Sequence, residues 1–216
     1  MGEPIRLALF DFDGTLIPGD SIALLVRWAR RKKAMTGGEF FSALIAAGGY
    51  GLGLVSAKES KERALRFLQR FSGGEQEKLC RAFVNEALLP LVYPRGIACV
   101  RGHQAAGRKA VLVTASTDNY MLLIGRALGF DAVLATPYFP DGRLGENCKG
   151  EEKPKRVAAW LSDSGLQADY AASWAYGDSG SDLPMLRLCG HPVRVNAKKA
   201  LRKAAPDMRA EEWTHE

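Results

Sequence analysis

The order of sequence patterns predicts an α/β protein, a doubly wound parallel sheet with an inserted, all-helical cap. A short apolar run, "RLALF" at 6–10, ends at acidic residues and predicts a buried strand. Helical patterns then fill the chain as far as Pro94, and strand patterns are hard to find among them. Beyond Pro94, strand and helix patterns alternate, as they do in parallel sheets covered on both faces. We therefore predict a core of residues 1–17 and 95–216 and a cap of residues 18–94.

The cap segment predicts a series of helices. The turn residues Pro18 and Gly19 come first, and Asp20 then begins the helical stretch "DSIALLVRWARR" as a capping residue. Apolar side chains at helical spacing predict further amphipathic helices over 56–71 and 72–90. We expect this block to close over one edge of the sheet and to exclude water there.

The remaining elements of the core follow Pro94 in alternation. Strands are predicted from the apolar runs "KAVLVTA", "DAVLATPY", "YAASWAYGDS" and "HPVRVN". Helices are predicted from "RGIACVRGHQAAG", "TDNYMLLIGRALG", "GEEKPKRVAAWLSDSG" and "SDLPMLRLCG". The turn "PDGRLG" should join two short strands, and the stretch from "KKALRKAA" onward should form a last helix and a ragged tail.

Bulk composition fits a globular protein and mildly favours anionic partners. Hydrophobic residues make up 47% of the chain, and the formal net charge is +6. Because the basic residues are scattered among acids, we expect phosphates or an acidic lipid surface as partners rather than nucleic acid. The four cysteines have no metal-like spacing, and no apolar leader follows "MGEPIR", so we expect a cytoplasmic protein.

One stretch of the cap, "FFSALIAAGGYGLGLV" at 40–55, is the most apolar part of the chain. It is shorter than the ~20 residues that a membrane-spanning helix needs, and glycines interrupt it. The basic stretches "RWARRKK" and "KESK" flank it. We expect a buried or partner-facing helix followed by a glycine-rich turn. The alternative is an interfacial segment that rests weakly on anionic lipid.

Acids, hydroxyls and amines follow the predicted strands and should meet at one edge of the sheet. In an open parallel sheet, ligands bind beyond the carboxyl ends of the strands. The groups expected there are Asp11, Asp13, Thr114, Ala115, Ser116, Asp178 and Asp182, with Lys149 and Lys153 from a nearby helix start. A lone aspartate at a strand end is usually a helix cap, but four converging segments predict a reaction site.

Phosphoryl transfer explains this combination of residue types. Asp11, Asp13 and Asp178 would repel one another without a cation, and hard oxygen ligands at an open site suit Mg²⁺. One aspartate can attack phosphorus, while a second carboxylate protonates the leaving oxygen and later deprotonates water. A hydroxyl and a lysine can hold the remaining phosphate oxygens, and the metal neutralises developing charge.

The stretches that carry these residues resemble the four motifs of the haloacid dehalogenase superfamily. They are "DFDGTLIPGDS", "VLVTAS", "GEEK" and "YGDSGSDLPML", and the helical insertion after the first resembles the superfamily's type-1 cap. From about Ile5 to Ala204 the chain is similar to subfamily IB, the phosphoserine-phosphatase-like hydrolases. The resemblance implies that superfamily's Rossmann-like core and an aspartyl-phosphate intermediate.

The resemblance implies a role for each matched acid. Asp11 matches the nucleophile and Asp13 the general acid/base. The metal would bind the Asp11 carboxylate, the Asp13 backbone carbonyl and Asp178, and Asp182 would support them. Dehalogenases of the superfamily lack an acid at the place of Asp13, so Asp13 implies phosphoryl transfer.

Phosphate binding is expected from the second and third motifs. Thr114 and the backbone amide of Ala115 match the second motif. The third-motif lysine is Lys153 if the alignment follows "GEEK" and "RVAAWL", and Lys149 if it follows "NCKGE". The two lysines are four residues apart and would share a face of one helix. We predict that Lys153 binds the phosphate.

Two features depart from true phosphoserine phosphatases. Those enzymes carry a Ser-Gly-Gly type of second motif, and they place a glutamate where Asp20 stands. We expect Asp20 to act mainly as a helix cap, with contact to the substrate as the alternative. These two departures make phosphoserine a less favoured candidate substrate.

The sequence as a whole predicts a Mg²⁺-dependent phosphomonoester hydrolase that acts on a small phosphorylated metabolite. One alternative is a phospholipid-headgroup phosphatase at the membrane surface. Another is a phosphate-binding regulatory module without turnover, which the intact acids Asp11, Asp13 and Asp178 disfavour. The oligomeric state stays open at this stage.

Overall fold

The computed structural model describes residues 3–215 and confirms the α/β fold. The strands of this range are β1 (Leu7–Phe10), β2 (Lys109–Thr117), β3 (Ala132–Thr136), β4 (Trp174–Gly177), β5 (His191–Val195) and β6 (Arg209–Glu211). They form one parallel sheet in the order β3-β2-β1-β4-β5-β6. The ends of the predicted core, residues 1–2 and 216, lie outside the described residues.

Strand β1 lies inside the sheet, and all of its residues are fully buried. Leu9 pairs with Val111 of β2 on one side and with Ala175 of β4 on the other. The strand order therefore reverses between β1 and β4, because β2 and β3 extend to one side and β4, β5 and β6 to the other. Ligands of such sheets bind at this switch point, beyond the carboxyl ends of the strands.

The cap segment forms helices, as the sequence predicts. They are α1 (Ser21–Arg31), α2 (Gly37–Gly51), α3 (Ala57–Leu65) and α4 (Gly73–Phe83). The chain then continues from α3 into a 3₁₀ segment at Arg66–Arg70, and from α4 into a π-helical segment at Val84–Leu88. The helix predicted over 72–90 loses its α-geometry toward its end because Pro90 lacks the amide N–H that an α-helix requires.

The cap and the core share one apolar cluster. The ring of Phe83 on α4 lies 5.7 Å from that of Trp28 and 5.5 Å from that of Tyr120. The core helices are α5 (Pro94–Ala105), α6 (Asp118–Leu128), α7 (Glu152–Asp163), α8 (Leu183–Leu188) and α9 (Lys199–Ala204). Tyr120 belongs to α6, so this aromatic contact joins the two parts of the chain.

Helix α2 differs from the other cap helices because most of its apolar side chains are exposed. Within α2 only Ala43 and Ala46 are buried, whereas Phe41 keeps 64% of its surface accessible. In the turn that follows, Leu52 and Leu54 are 77% and 78% exposed. The helix and turn predicted over 40–55 are present, but the segment is not buried within this chain. None of the described helices is long and apolar enough to cross a membrane.

The prediction of a ragged tail is wrong for the residues before 214. Strand β6 pairs with β5, and Trp213 is 2% exposed. The amide side chain of Asn196 accepts a hydrogen bond from the Trp213 backbone N–H and donates one to its carbonyl oxygen. A strand of three residues is too short to show an alternating pattern in the sequence, so only its pairing partner identifies it.

Candidate active site

Asp11 directly follows β1 and is buried together with Lys153. The Lys153 ammonium lies 2.6 Å from Oδ1 of Asp11 and 2.7 Å from Oδ1 of Asp182. Its side chain is 1% exposed, so the lysine bridges the two carboxylates out of contact with water. Helix α7 begins at Glu152, which puts Lys153 in its first turn.

Lys149 occupies a different place, because α7 begins only after it. It is exposed, and its ammonium donates a hydrogen bond to the Tyr50 hydroxyl of the cap at 3.1 Å. The expectation that Lys149 and Lys153 share one helical face is therefore wrong. Lys153 lies beside the predicted nucleophile, Asp11, and Lys149 lies against α2.

The electrostatics of the Asp11 carboxyl combine burial with neighbouring charges. Burial and the charge of Asp182 raise its pKa, and the ion pair with Lys153 opposes that increase. For Lys153, burial lowers the pKa, but the charges of Asp11 and Asp182 outweigh burial and raise it above its ordinary value. Lys153 therefore stays an ammonium and favours the ionised form of Asp11.

Asp13 has another set of partners, all of them uncharged. Its Oδ2 accepts a hydrogen bond from the Ser116 hydroxyl at 2.5 Å, and its Oδ1 accepts one from the Ser21 backbone N–H at 2.7 Å. The Ser21 hydroxyl also contacts those of Ser116 and Tyr120. Burial raises the pKa of Asp13 to about 6, and the nearby charge of Asp20 contributes. Asp13 can therefore hold or release a proton near neutral pH.

Asp178 and Asp182 follow β4 on the other side of the switch point. Oδ2 of Asp178 lies 2.6 Å from the Lys198 ammonium, and Oδ2 of Asp182 accepts a hydrogen bond from the Ser179 hydroxyl at 2.7 Å. Gly14 has a φ of +85°, and a Cβ there would lie 2.2 Å from Oδ2 of Asp178. Only glycine lets the loop after β1 adopt this conformation and approach the Asp178 carboxylate so closely.

Three carboxylates of the site form a ligand set that fits a divalent metal ion. Ligand oxygens of Asp11, Asp178 and Asp182 all lie within 4.8 Å of one another, and all three residues are buried. Buried carboxylate oxygens without nitrogen or sulfur ligands suit Mg²⁺. The Asp13 carboxylate is engaged with the two serines instead, so its predicted metal contact is left to the backbone carbonyl.

The second motif lies at the end of β2. Thr114 is fully buried, and its hydroxyl accepts a hydrogen bond from the Ser116 backbone N–H at 3.1 Å. The Ala115 carbonyl accepts one at 2.6 Å from Lys61, a residue of cap helix α3. The same ammonium donates to Oδ1 of Asn147 at 2.8 Å. Burial lowers the pKa of Lys61 to about 8, and the charges of Asp20 and Asp13 oppose that shift.

Asp20 acts as the helix cap that the sequence predicts. Its Oδ1 accepts a hydrogen bond from the Ala23 backbone N–H at 2.9 Å. Four residues around the predicted site were not expected from the sequence, and they are Ser21, Lys61, Tyr120 and Lys198. Lys198 belongs to "NAKKA", which a closer look at late basic residues could have singled out. Lys61 gives no such signal, because a lysine on an amphipathic helix usually faces solvent.

A sequence model of the haloacid dehalogenase-like hydrolases matches residues 8–187. The chain belongs to this family. The match includes all of β1 except Leu7, the whole cap segment and the strands up to β4, and therefore all the acids described above. The predicted resemblance is confirmed, and the chain is a hydrolase of the haloacid dehalogenase type with phosphatases among its relatives.

Relatives of this haloacid dehalogenase-like hydrolase span nearly its full length. A histidinol-phosphatase of Neisseria meningitidis is 29% identical, and the match covers 94% of this chain and 95% of the relative. A crystal structure of a protein with unknown function from Bordetella pertussis Tohama I is 30% identical, with a TM-score of 0.86 and coverage of 96% and 98%. A phospho-aspartyl intermediate analogue of a phosphoserine phosphatase shares the fold, with a TM-score of 0.66, 20% identity and coverage of 99% and 95%.

Proposed function

We propose that the chain is a Mg²⁺-dependent phosphomonoester hydrolase that acts on a small phosphorylated metabolite. The observation that carries the proposal is the contrast between the surroundings of the two aspartates after β1. Asp11 is ion-paired with Lys153, whereas Asp13 is hydrogen-bonded to serines and its pKa is raised to about 6. Pairs of carboxyl groups in such different surroundings are typical of a nucleophile beside an acid/base.

The two aspartates divide the reaction between them. A carboxylate oxygen of Asp11 attacks phosphorus, the bond from phosphorus to the leaving oxygen breaks, and protonated Asp13 gives its proton to that oxygen. Asp13 then takes a proton from water as the water oxygen attacks the same phosphorus. Asp11 leaves as a carboxylate, and inorganic phosphate is released. Each cycle therefore returns both groups to their starting forms.

The phosphoryl oxygens need positive charge and hydrogen-bond donors around them. Lys153 supplies a fixed ammonium beside Asp11, and the Thr114 hydroxyl and Ala115 amide supply donors at the end of β2. Asp11, Asp178 and Asp182 would hold the Mg²⁺ ion, together with the Asp13 carbonyl. When bound, the ion neutralises charge that develops on the transferring group. We also propose that residues 18–94 act as a cap that excludes water from this edge.

A second candidate function is hydrolysis of a phospholipid headgroup at a membrane surface. The observation that favours it is the exposed apolar face of α2 and the following turn, where Phe41, Leu52 and Leu54 each expose more than half of their surface. Arg27 and Arg30 of α1 lie beside Phe40, near the start of α2. Apolar side chains with neighbouring cations suit an anionic lipid surface.

The test is hydrolysis of a panel of phosphomonoesters, including histidinol phosphate, phosphoserine, lysophosphatidic acid and phosphatidylglycerol phosphate. Release of inorganic phosphate is measured with Mg²⁺ and with excess EDTA. We expect turnover of at least one compound with Mg²⁺ and none with EDTA. Undiminished turnover in EDTA would contradict the metal dependence, and no turnover of any compound would contradict the phosphatase assignment.

A further inference from the structure

The cap contains a cavity of about 350 Å³ between α1, α2 and α3, and most of its wall is apolar. Ile22 and Val26 of α1 face Phe40 and Leu44 of α2 across it. Its volume lies in the range of about 300–1,000 Å³ that is usual for small-molecule sites. Small side chains leave the space open, and they are Ala23, Ala43, Ala47, Ala57 and Ala64.

One end of the cavity is polar and reaches the candidate active site. Lys61 and Asn147 line this end, and the Lys61 ammonium donates to the Ala115 carbonyl, one residue beyond Thr114. Asp20 also lines the cavity, and its charge acts on the Asp13 carboxyl. A substrate whose phosphoryl group lies at Asp11 would therefore extend its leaving group into the cavity.

The charged groups of the cavity wall are unbalanced. Arg27, Lys61 and Lys149 line it, and among the described lining residues Asp20 alone is acidic. One oxygen of Asp20 already accepts the capping hydrogen bond from the Ala23 backbone N–H. An ammonium group on the leaving group would meet net positive charge and an apolar wall, and burial of an unpaired charge is unfavourable. This wall therefore disfavours amino-bearing substrates.

We propose that the cap cavity binds the apolar part of the leaving group. The preferred substrates are then phosphomonoesters of an alkyl or similarly apolar alcohol that carries no ammonium group. This proposal rests on the phosphatase activity proposed above and specifies its substrate class. It assigns catalysis to the sheet edge and recognition of the alcohol to α1, α2 and α3.

The test compares straight-chain alkyl phosphates from methyl to octyl, all below their aggregation concentrations. We expect kcat/KM to rise by about fourfold for each methylene that becomes buried, until the chain fills the cavity. Ethyl phosphate should be a better substrate than phosphoethanolamine, which adds an ammonium group. Equal kcat/KM values for methyl and octyl phosphate would overturn the proposal, and so would a preference for phosphoethanolamine.

The matched variants are Ala47→Trp, which fills the cavity, and Ala127→Trp on α6, which lies outside it. Both alanines are exposed helical residues, so neither substitution disturbs the buried core. We expect Ala47→Trp to remove the advantage of octyl over methyl phosphate while methyl phosphate is still hydrolysed. Ala127→Trp should keep the wild-type dependence on chain length. If Ala47→Trp keeps it as well, the cavity is not the binding site.

A binding measurement separates this proposal from the proposed activity. Isothermal titration with methylphosphonate and octylphosphonate, in the presence of Mg²⁺, needs no turnover. Tighter binding of octylphosphonate that Ala47→Trp removes supports the cavity proposal even if no phosphomonoester is hydrolysed, and in that case the phosphatase assignment alone fails. Equal binding of both phosphonates contradicts the cavity proposal even if small phosphomonoesters are good substrates.

Alkyl phosphomonoester groups occur both in water-soluble compounds and in membrane lipids, and two further arms distinguish these sources. One uses monomeric octyl phosphate, and the other uses lysophosphatidic acid held in phosphatidylcholine vesicles. If the protein hydrolyses only monomeric octyl phosphate and Ala47→Trp lowers that rate, the substrate is water-soluble. If it hydrolyses lysophosphatidic acid in vesicles and Ala47→Trp lowers that rate, the substrate is a lipid. Hydrolysis of neither compound by an enzyme that cleaves methyl phosphate overturns the proposal.

Discussion

The edge of the sheet and the wall of the cap cavity are built on opposite principles. At the edge, charged side chains are buried and paired, as in the contacts of Lys153 with Asp11 and Asp182. In the cap, apolar side chains line open space, and those of α2 extend into solvent. Buried charges need partners at fixed distances, so the ion pairs hold the side chains of the edge in place. An apolar wall makes no such demand, so it can vary with the substrate.

The largest expected effect belongs to Asp11, the proposed nucleophile at the sheet edge. Asp11→Asn should lower kcat by roughly four orders of magnitude or more, because an amide is a far poorer nucleophile than a carboxylate. Steady-state release of inorganic phosphate measures this loss. The control is Asp163→Asn, an exposed residue at the end of α7, which should keep full activity. Full activity in Asp11→Asn would show that Asp11 is not the nucleophile.

Asp13→Asn should affect the second half of the reaction most. If Asp13 is the acid/base, its loss should lower turnover by about 10²–10⁴-fold, while a substrate with a good leaving group should still transfer its phosphoryl group to Asp11. Acid quenching with labelled p-nitrophenyl phosphate should therefore trap labelled protein. The double variant Asp11→Asn/Asp13→Asn should trap none. A label that survives in the double variant would place the phosphoryl group on another residue.

The two lysines test how strictly charge is fixed at the edge. Lys153→Met should lower kcat/KM by ~2–4 kcal/mol of transition-state stabilisation, because a preorganised cation is lost. Lys149→Met removes an exposed lysine and should change kcat/KM by less than ~1 kcal/mol. Thermal unfolding of both variants shows whether each is folded. If Lys149→Met is the impaired variant, Lys149 and not Lys153 holds the phosphate.

His103 is a buried titratable group without an ionic partner, so its protonation should lower the stability of the fold. His103 is 7% exposed, and its Nε2 lies 2.7 Å from the Tyr176 hydroxyl. Burial, with a smaller contribution from Arg108, lowers its pKa to about 4. The unfolded chain, with a histidine pKa of about 6.5, therefore binds more protons between pH 6.5 and 4, and the fold loses stability as the pH falls through that window.

Urea unfolding at pH 7 and pH 4.5 measures this effect. The wild type should lose about 2 kcal/mol more of its unfolding free energy than His103→Gln over this interval, because glutamine does not titrate. His191 is exposed, and His191→Gln should behave like the wild type. An equal loss in the wild type and His103→Gln would show that protonation of His103 does not oppose folding.

The smallest expected effect concerns the exposed apolar face of the cap. The protein should co-sediment weakly with anionic liposomes, and added salt should weaken binding by screening the basic residues of α1. Leu52→Ser/Leu54→Ser should reduce binding further, whereas Leu122→Ser, a 49% exposed residue of α6, should not. No sedimentation at low salt would remove the support for a lipid-surface function.

The sequence by itself determined the acids of the site, because their positions follow from strand ends. Asp11 and Asp13 come after a short apolar run that predicts a buried strand, and Asp178 follows another. Parallel strands bring their carboxyl ends to one edge, so local pattern and spacing were enough to bring these residues together. The helical content of the cap and the capping role of Asp20 follow equally from local rules.

Tertiary structure alone decided the contacts that depend on where separate elements meet. The sequence favours Lys153 over Lys149 only through the choice of alignment, whereas in the structure α7 begins at Glu152 and only Lys153 is buried. Lys61 becomes a neighbour of Ala115 only because α3 folds back over the sheet edge. The exposure of α2 could not be predicted from the sequence either. An apolar pattern indicates that a helix face favours burial, but it does not indicate whether another element covers that face.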